Sequence, residues 1–260
     1  MSEGKKLVNI IIFIYGLLIG SFLNVCIYRI PIEKSIIFPA SHCPLCSTSL
    51  KPIDLIPVAS YLSTAGKCRY CGEKISLRYP TFELITALIF SLLYYIFGLS
   101  VDFFVYTFIA SLLIVVTGID LDYQIIPDEI VLIGIGAAVI YILYSYFILK
   151  IPISLLSHLG GLLVGGGLFL LIAIASNGGM GGGDIKLMGM LGLWLGIKGI
   201  LITTFLSFII GAVISLILLA TGQKTRKEAI PFGPFIAAAA LITICFQEEL
   251  LTWYIQRFIS

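Results

Sequence analysis

Long apolar segments take up most of this 260-residue chain, and they constrain its fold more than any other feature. Hydrophobic residues make up 59% of the chain and charged residues only 12%, and the mean hydropathy is +1.10. Crossing about 30 Å of hydrocarbon takes about 20 apolar residues in a helix, because each residue adds about 1.5 Å. We therefore predict an all-α polytopic membrane protein with about eight transmembrane helices.

The predicted helices are separated by short polar links and by one long polar loop. The first is too long for the apolar region of a secretory signal peptide, so we interpret it as a spanning helix. The sixth is only about two-thirds of a span, and either it crosses with its glycine-rich end shielded by protein or it is re-entrant. The eight segments cover about 7–30, 81–97, 102–119, 129–149, 153–176, 185–197, 199–220 and 231–250.

The lysines and arginines predict the orientation of these helices, since links rich in them stay in the cytoplasm. Alternate links form two sets, one with eleven lysines and arginines and the other with five. The richer set contains the long loop 31–80 and the links around Asp120 and Asp184. We therefore predict that these three links face the cytoplasm and both chain termini face outward. A crossing sixth segment preserves this charge bias, which favours a crossing.

The long loop 31–80 carries two C-x-x-C pairs, Cys43 with Cys46 and Cys68 with Cys71, separated by 21 residues. Paired thiolates at this spacing build a tetrahedral four-cysteine zinc site. The loop has too few apolar residues for a core of its own, and a bound metal can supply folding free energy. Two disulfides are the alternative, and a reducing cytoplasmic location argues against them. We predict a structural zinc in a zinc-ribbon-like, four-cysteine cytoplasmic loop between helices 1 and 2.

Two aspartates lie at segment ends that the predicted topology places on the same face of the membrane. Asp120 ends the third segment, and Asp184 follows the glycine-rich stretch 177–183. Two carboxylates brought together at a membrane edge cannot both ionise cheaply, so the pair shares a proton. Such a pair can hold a water molecule, with one carboxylate as base and the other as acid. Solvation at the interface is the alternative, and we favour chemistry for both residues.

Other polar residues near these two aspartates can be explained without a role in catalysis. We interpret Asp122 as a solvated interface residue. Asp128, which follows Pro127, suits a helix N-terminus at least as well as chemistry. Lys186 either neutralises an acid or faces lipid headgroups.

Three polar residues flank the cysteine loop. Asn24 is typical of helix–helix hydrogen bonding, Arg29 of a positive anchor, and Glu83 of a helix N-terminus. We interpret His42 as a bystander of the cysteines and His158 as a packing residue. With only these two histidines and no Gly-x-Ser-x-Gly setting, the sequence argues against a serine hydrolase. No phosphate loop or nucleic-acid patch is present, so we expect no nucleic-acid partner.

Taken together, these motifs resemble the bacterial type IV prepilin leader peptidases, which are also N-methyltransferases. Singly, a Gly-x-Gly-Asp motif is weak, but this order of motifs is specific and covers most of the chain. The matching stretches are 20–31 for the first-helix signature, 43–83 for the cysteine loop, 120–128 for the first catalytic motif, 181–186 for the Gly-x-Gly-Asp motif also found in presenilin-like proteases, and 231–235 for the start of the last helix.

The resemblance implies a function for these motifs. It implies that the leader peptides of prepilins or pseudopilins are cleaved after a glycine at the cytoplasmic face of the bacterial inner membrane. The new N-terminal residue would then be methylated from S-adenosylmethionine. It assigns Asp120 and Asp184 as the catalytic pair, and we add as supporting residues Gly181, Gly183, Lys186, Asn24, Arg29 and Glu83.

We divide the chain into a first transmembrane helix, 1–30, a four-cysteine zinc loop, 31–80, and a membrane aspartyl peptidase core, 81–260. The expected partners are the prepilin substrates and the lipid bilayer. A transporter or channel is the alternative, with Asp120 and Asp184 on an ion path and the cysteine loop as a zinc-binding regulator. Transport sites lie near the bilayer midplane, whereas these acids lie at one edge. An inactive scaffold in pilus assembly is a second alternative.

Overall fold

The computed structural model describes residues 3–150, 154–225 and 228–258, and their regular structure is helical apart from two isolated β-bridges in the cysteine loop. Residue 153, the predicted start of the fifth segment, and the basic residues Arg226 and Lys227 lie outside these ranges. The α-helices are α1 (Glu3–Arg29), α2 (Ala59–Ser63), α3 (Arg78–Phe97), α4 (Val101–Tyr123), α5 (Asp128–Phe147), α6 (Leu155–Ala175), α7 (Gly182–Ala220) and α8 (Gly233–Phe258).

Seven helices of the described part, all except α2, are long and apolar enough to cross a membrane. Large apolar side chains cover their outer surfaces; Leu156 and Leu163 of α6, for example, are 80% and 71% exposed. An apolar outer surface of this kind is stable in lipid and unstable in water. The protein is therefore an integral membrane protein, and the predicted all-α polytopic fold is confirmed.

The longest helix, α7, folds back on itself at Gly196. This residue has φ +67° and ψ −177°, a backbone conformation that favours glycine and interrupts the helix. The Met188 carbonyl and the Ile200 side chain both lie against Gly165 of α6. Twelve residues of straight helix would separate these two groups by about 18 Å. The helix is therefore a hairpin whose two arms both pack on α6.

The arms of this hairpin, 182–195 and 197–220, correspond to the predicted sixth and seventh segments. Two polar contacts hold the hairpin near its turn. His158 Nδ1 lies 2.8 Å from the Leu193 carbonyl oxygen, and the indole N–H of Trp194 donates a 3.0 Å hydrogen bond to the Gly134 carbonyl of α5. The short sixth segment is thus the first arm of a hairpin.

The chain forms two compact units, Met1–Val115 and Val116–Ser260. The first contains α1, the cysteine loop and α3, with α1 packed along α3. The second contains α5 and α6 with the α7 hairpin, which also packs on α8. The boundary falls inside α4, so this helix contributes to both units. The three-part division into 1–30, 31–80 and 81–260 stays a prediction.

Candidate functional site

Asp120 lies in the last turns of α4, in the second unit, and is only 5% exposed. Its Oδ2 accepts a 2.8 Å hydrogen bond from the backbone N–H of Gly233, the first residue of α8. A Cβ built on residue 233 would lie 2.7 Å from the same oxygen. Glycine at this position therefore allows the amide to reach the carboxylate and fix its orientation.

An aromatic cluster holds this amide in position. The ring of Phe232 packs against Phe208 of α7, with centroids 5.3 Å apart, and against Phe169 of α6 at 6.1 Å. Phe235, in the first turn of α8, meets Phe232 edge-on at 5.7 Å. Aromatic pairs at such separations contribute about 0.5–1.5 kcal/mol beyond their buried area. The start of α8, and with it the Gly233 amide, is therefore fixed by packing.

Asp184 lies in the first turn of α7 and is 9% exposed. Gly181 precedes that turn, and a Cβ built on it would lie 3.1 Å from Oδ2 of Asp184. A Cβ on Gly183 would lie 2.8 Å from the Cβ of Ile126, which belongs to the link after α4. The two glycines leave room around the carboxylate and let the start of α7 approach the segment that follows Asp120.

The two carboxylates lie near each other, because the start of α7 packs on the link that follows Asp120. Both are nearly excluded from water, where a repulsion between like charges is strongest. The structure thus brings together the two acids that sequence analysis paired. Each is supplied by a helix end, Asp120 by the end of α4 and Asp184 by the start of α7.

The other acids of this region have different surroundings. Lys186 pairs with Asp128, with Nζ 2.7 and 2.9 Å from the two carboxylate oxygens. Asp128 begins α5, and Pro127 occupies its N-cap position, so Asp128 does not cap the helix with its side chain. Asp122 is exposed, as expected of an interface residue. The Lys186–Asp128 ion pair connects the beginnings of α7 and α5.

The four loop cysteines form a cluster in the first unit. Their sulfur atoms all lie within 4.8 Å of one another, and the sulfurs of Cys43 and Cys71 are 4.0 Å apart. A tetrahedral zinc with Zn–S bonds of about 2.3 Å separates its sulfur ligands by about 3.8 Å. Cys43, Cys46, Cys68 and Cys71 are thus compatible with a zinc ion.

The two cysteine pairs sit in turns of the same design. Ser47 donates its backbone N–H to the Cys43 carbonyl, and Gly72 donates to that of Cys68, both at 2.9 Å. The residue after the second cysteine of each pair has positive φ, +54° at Ser47 and +74° at Gly72. This repeated turn points both cysteines of a pair to the same side, as a shared metal requires.

The thiol pKa values in the cluster move in opposite directions. Hydrogen bonding by Thr48, whose hydroxyl lies 3.3 Å from the Cys46 sulfur, lowers the pKa of Cys46 to about 6, while burial and the neighbouring thiols raise the pKa of Cys71 to about 12. Metals bind the thiolate form, so a bound cation would favour deprotonation of all four thiols. His42 lies outside the cluster, with Nδ1 3.1 Å from the Ala40 carbonyl.

The three polar residues that flank the loop are all buried. Asn24 of α1 donates to the Tyr79 carbonyl of α3 at 3.1 Å, which is a helix–helix hydrogen bond of the kind expected. Arg29 donates to the carbonyls of Ser35 and Pro39 at 2.9 and 2.8 Å, so it fixes the beginning of the loop as well as the end of α1.

Glu83 of α3 accepts a 2.7 Å hydrogen bond from the Val58 amide in the loop. With Asn24 and Arg29 it borders a cavity of about 820 Å³, which is lined by the loop and the adjoining ends of α1 and α3. This cavity was not predicted, although three polar residues flanking one loop were a signal for it. The Gly233 amide was not predicted either, because a backbone group leaves no side-chain signature.

Comparisons with known proteins agree with the motifs. The model of the bacterial Peptidase A24 N-terminal domain matches residues 14–97, and that of the type IV leader peptidase family matches residues 107–216. No solved structure matches the chain.

Three relatives are each named prepilin leader peptidase/N-methyltransferase. That of Bacillus subtilis is 38% identical over 95% of this chain and 97% of its own length. That of Pseudomonas putida is 32% identical, covering 91% and 90% of the two chains, and that of Pseudomonas aeruginosa is 31% identical, covering 93% and 91%.

Proposed function

This chain belongs to the type IV leader peptidase family, and from that premise we propose that it removes the leader peptides of prepilins or pseudopilins and methylates the new N-terminal residue. The relatives carry both activities in their names, and they match this chain along almost its whole length. It is therefore a bifunctional enzyme, a peptidase and an N-methyltransferase.

The observation that carries the peptidase activity is the pair of buried carboxylates of Asp120 and Asp184, which the packing of Gly183 on Ile126 brings near each other. Sharing one proton, they hold a water molecule between them. One carboxylate takes a proton from the water, whose oxygen attacks the scissile carbonyl carbon, while the other acid protonates the carbonyl oxygen. Collapse of the tetrahedral intermediate breaks the C–N bond. The departing amine takes the proton that the first carboxylate removed from the water, and a hydroxyl of the intermediate returns a proton to the second carboxylate. The glycines before Asp184 leave space for an extended substrate backbone.

The position of the acids suits a substrate that is itself a membrane helix. Both lie at helix ends, so a bond at the edge of the bilayer can reach them by lateral diffusion of the substrate. A glycine before the scissile bond offers the least hindrance to two carboxylates in a confined site. We propose that this edge is the cytoplasmic face of the bacterial inner membrane, as the lysine and arginine distribution predicts.

The transporter alternative is not favoured. The family match covers both halves of the chain, and the paired acids lie at helix ends, whereas a transport site would lie near the bilayer midplane. In our proposal the zinc held by Cys43, Cys46, Cys68 and Cys71 stabilises the loop and takes no part in peptide cleavage. S-adenosylmethionine supplies the methyl group.

The peptidase proposal is tested by co-expressing a prepilin with the wild type, Asp120→Asn or Asp184→Asn, with Asp102→Asn at the other end of α4 as the control. General acid–base groups accelerate a reaction by about 10²- to 10⁴-fold, so we expect each site variant to cleave at least about 10²-fold more slowly than the wild type. The control should cleave like the wild type. Cleavage by both site variants at the control rate would disprove the aspartyl mechanism.

The orientation is tested with alkaline phosphatase fusions, which are active only outside the cytoplasm. A fusion after Lys150, in the α5–α6 link, should be active. A fusion after Lys224, in the link between the α7 hairpin and α8, should be inactive. The opposite pattern would show that the orientation is the reverse of the predicted one. Phosphatase activity at both positions would show that only one of the two arms of α7 crosses the membrane.

A further inference from the structure

The cavity beneath the cysteine loop contains a buried acid that peptide cleavage does not use. Glu83 borders this cavity and is only 7% exposed. Its partners are neutral: the Val58 amide at 2.7 Å and the side chain of Ser21. Within the described ranges, no lysine or arginine forms an ion pair with it. Burying a carboxylate without a cation costs free energy, so this acid is suited to a cationic ligand.

The loop residue that donates a hydrogen bond to this acid has a strained backbone. Val58 has φ +60° and ψ −49°, and the Ala59 amide bonds to the Pro57 carbonyl across it, forming a γ-turn with positive φ. Such turns are rare and strained, most of all at a β-branched residue. Strained residues cluster at active sites and ligand clamps. Here the turn directs the Val58 N–H to Oε2 of Glu83, which orients the carboxylate at the cavity wall.

The cavity has the size and position of a second active site. Its volume of about 820 Å³ falls in the range of about 300–1,000 Å³ that is usual for small-molecule pockets. Its lining residues fall between Ser21 and Glu83, inside the N-terminal domain match. Asp120 and Asp184 lie outside that match, in the second unit.

We propose that Glu83 is a catalytic residue of methyl transfer: at the wall of this cavity it binds the terminal ammonium of the cleaved substrate and accepts its proton. This inference rests on the proposed function, which supplies an amine and a sulfonium methyl donor, both of them cationic. A buried carboxylate stabilises a cation and can also act as a base towards it.

The proton balance defines what Glu83 does. A protonated amine has no lone pair, so the ammonium first gives one proton to the Glu83 carboxylate. The nitrogen then attacks the methyl carbon, a C–N bond forms, and the C–S bond breaks. The sulfonium becomes a neutral thioether, and the methylated nitrogen acquires the positive charge. Glu83 returns its proton to water at the open side of the cavity.

The test compares full-length wild type, Glu83→Gln and Glu33→Gln in detergent. Glutamine keeps the acceptor for the Val58 amide and removes only the charge, and Glu33 is an exposed acid of the same loop that does not line the cavity. Methylation and cleavage are followed separately by mass spectrometry of a prepilin substrate. We expect Glu83→Gln to lose methylation by at least about 10²-fold while cleavage stays within twofold of the wild type. Equal methylation by the two variants would overturn the proposal.

A binding measurement gives a readout that is independent of turnover. The probes are a mature-pilin N-terminal peptide and the same peptide with an acetylated amine. We expect the wild type to bind the free-amine peptide at least tenfold more tightly, and Glu83→Gln to lose that preference. If the wild type bound both peptides equally, ammonium recognition would be wrong whether or not the variant folded. A wild type that neither cleaves nor methylates would instead contradict the proposed function.

Discussion

The backbone N–H of Gly233 donates a 2.8 Å hydrogen bond to Oδ2 of Asp120, joining residues that lie 113 positions apart. The contact connects the beginning of α8 to the end of α4 inside the second unit. It gives the proposed peptidase site a fixed donor that comes from the backbone.

Replacing Gly233 by alanine should impair cleavage, because the new Cβ would lie 2.7 Å from Oδ2 of Asp120 and displace that carboxylate. A displacement of about 1 Å at a catalytic group costs up to about 10²-fold in rate. The measurement is the cleavage rate of the purified variant. Gly136→Ala is the matched control, because a Cβ at 136 meets nothing within 4 Å. Equal rates for the two variants would show that the Gly233 contact does not position Asp120.

Breaking the Lys186–Asp128 ion pair should slow cleavage slightly, and restoring the pair with reversed charges should recover much of the rate. Both side chains are more than half exposed, and exposed ion pairs contribute about 0.2–1 kcal/mol. We expect Lys186→Asp and Asp128→Lys each to slow cleavage by about two- to fivefold, and the charge-reversed double variant to recover much of the loss. The value to compare is kcat/KM. Additive losses in the double variant would mean that the pair does not act as a unit.

Replacing Gly196 by alanine should destabilise the α7 hairpin. The positive φ of this residue is strained for alanine, and the new Cβ would lie 2.8 Å from the Ser157 hydroxyl. Backbone strain of this kind costs about 1–3 kcal/mol, which SDS-induced unfolding in mixed micelles can measure.

Gly167→Ala on α6 is the control for that change, since a Cβ at 167 meets nothing within 4 Å. Alanine is favoured over glycine in a helix by about 0.5–1 kcal/mol, so the control should be as stable as the wild type or more stable. If Gly196→Ala unfolded no earlier than this control, the observed turn at Gly196 would not be needed for stability.

Removing a loop cysteine should abolish metal binding and spare peptide cleavage. We expect about one equivalent of zinc in the wild type and none in Cys43→Ser or Cys68→Ser, measured by elemental analysis of the full-length protein. The loop around 31–80 should become sensitive to protease, because the metal supplies its folding free energy. Cys245→Ser is the control, since Cys245 is not in the cluster. Zinc retained in the loop variants would contradict a four-cysteine site, and loss of cleavage on chelation would place the metal in the peptidase mechanism.

Local features of the sequence were enough to predict the all-α membrane fold and the grouping of the cysteines. Spanning a bilayer requires a long apolar helix, so segment length and hydropathy alone identify the spans. The C-x-x-C spacing likewise carries the geometry of a turn that directs two sulfurs to one side. The two Asp motifs were recognised because each follows a span and lies beside distinctive neighbours.

Only the tertiary structure decided which groups meet. Asp122 and Asp128 follow Asp120 within eight residues of sequence, yet Asp122 is exposed and Asp128 pairs with Lys186. The reversal at Gly196, the Gly233 amide on Asp120 and the position of Glu83 at the cavity wall were not predicted. Each depends on close approaches between distant segments, often through backbone N–H and C=O groups. Every residue except proline carries both groups, so the sequence does not indicate where they converge.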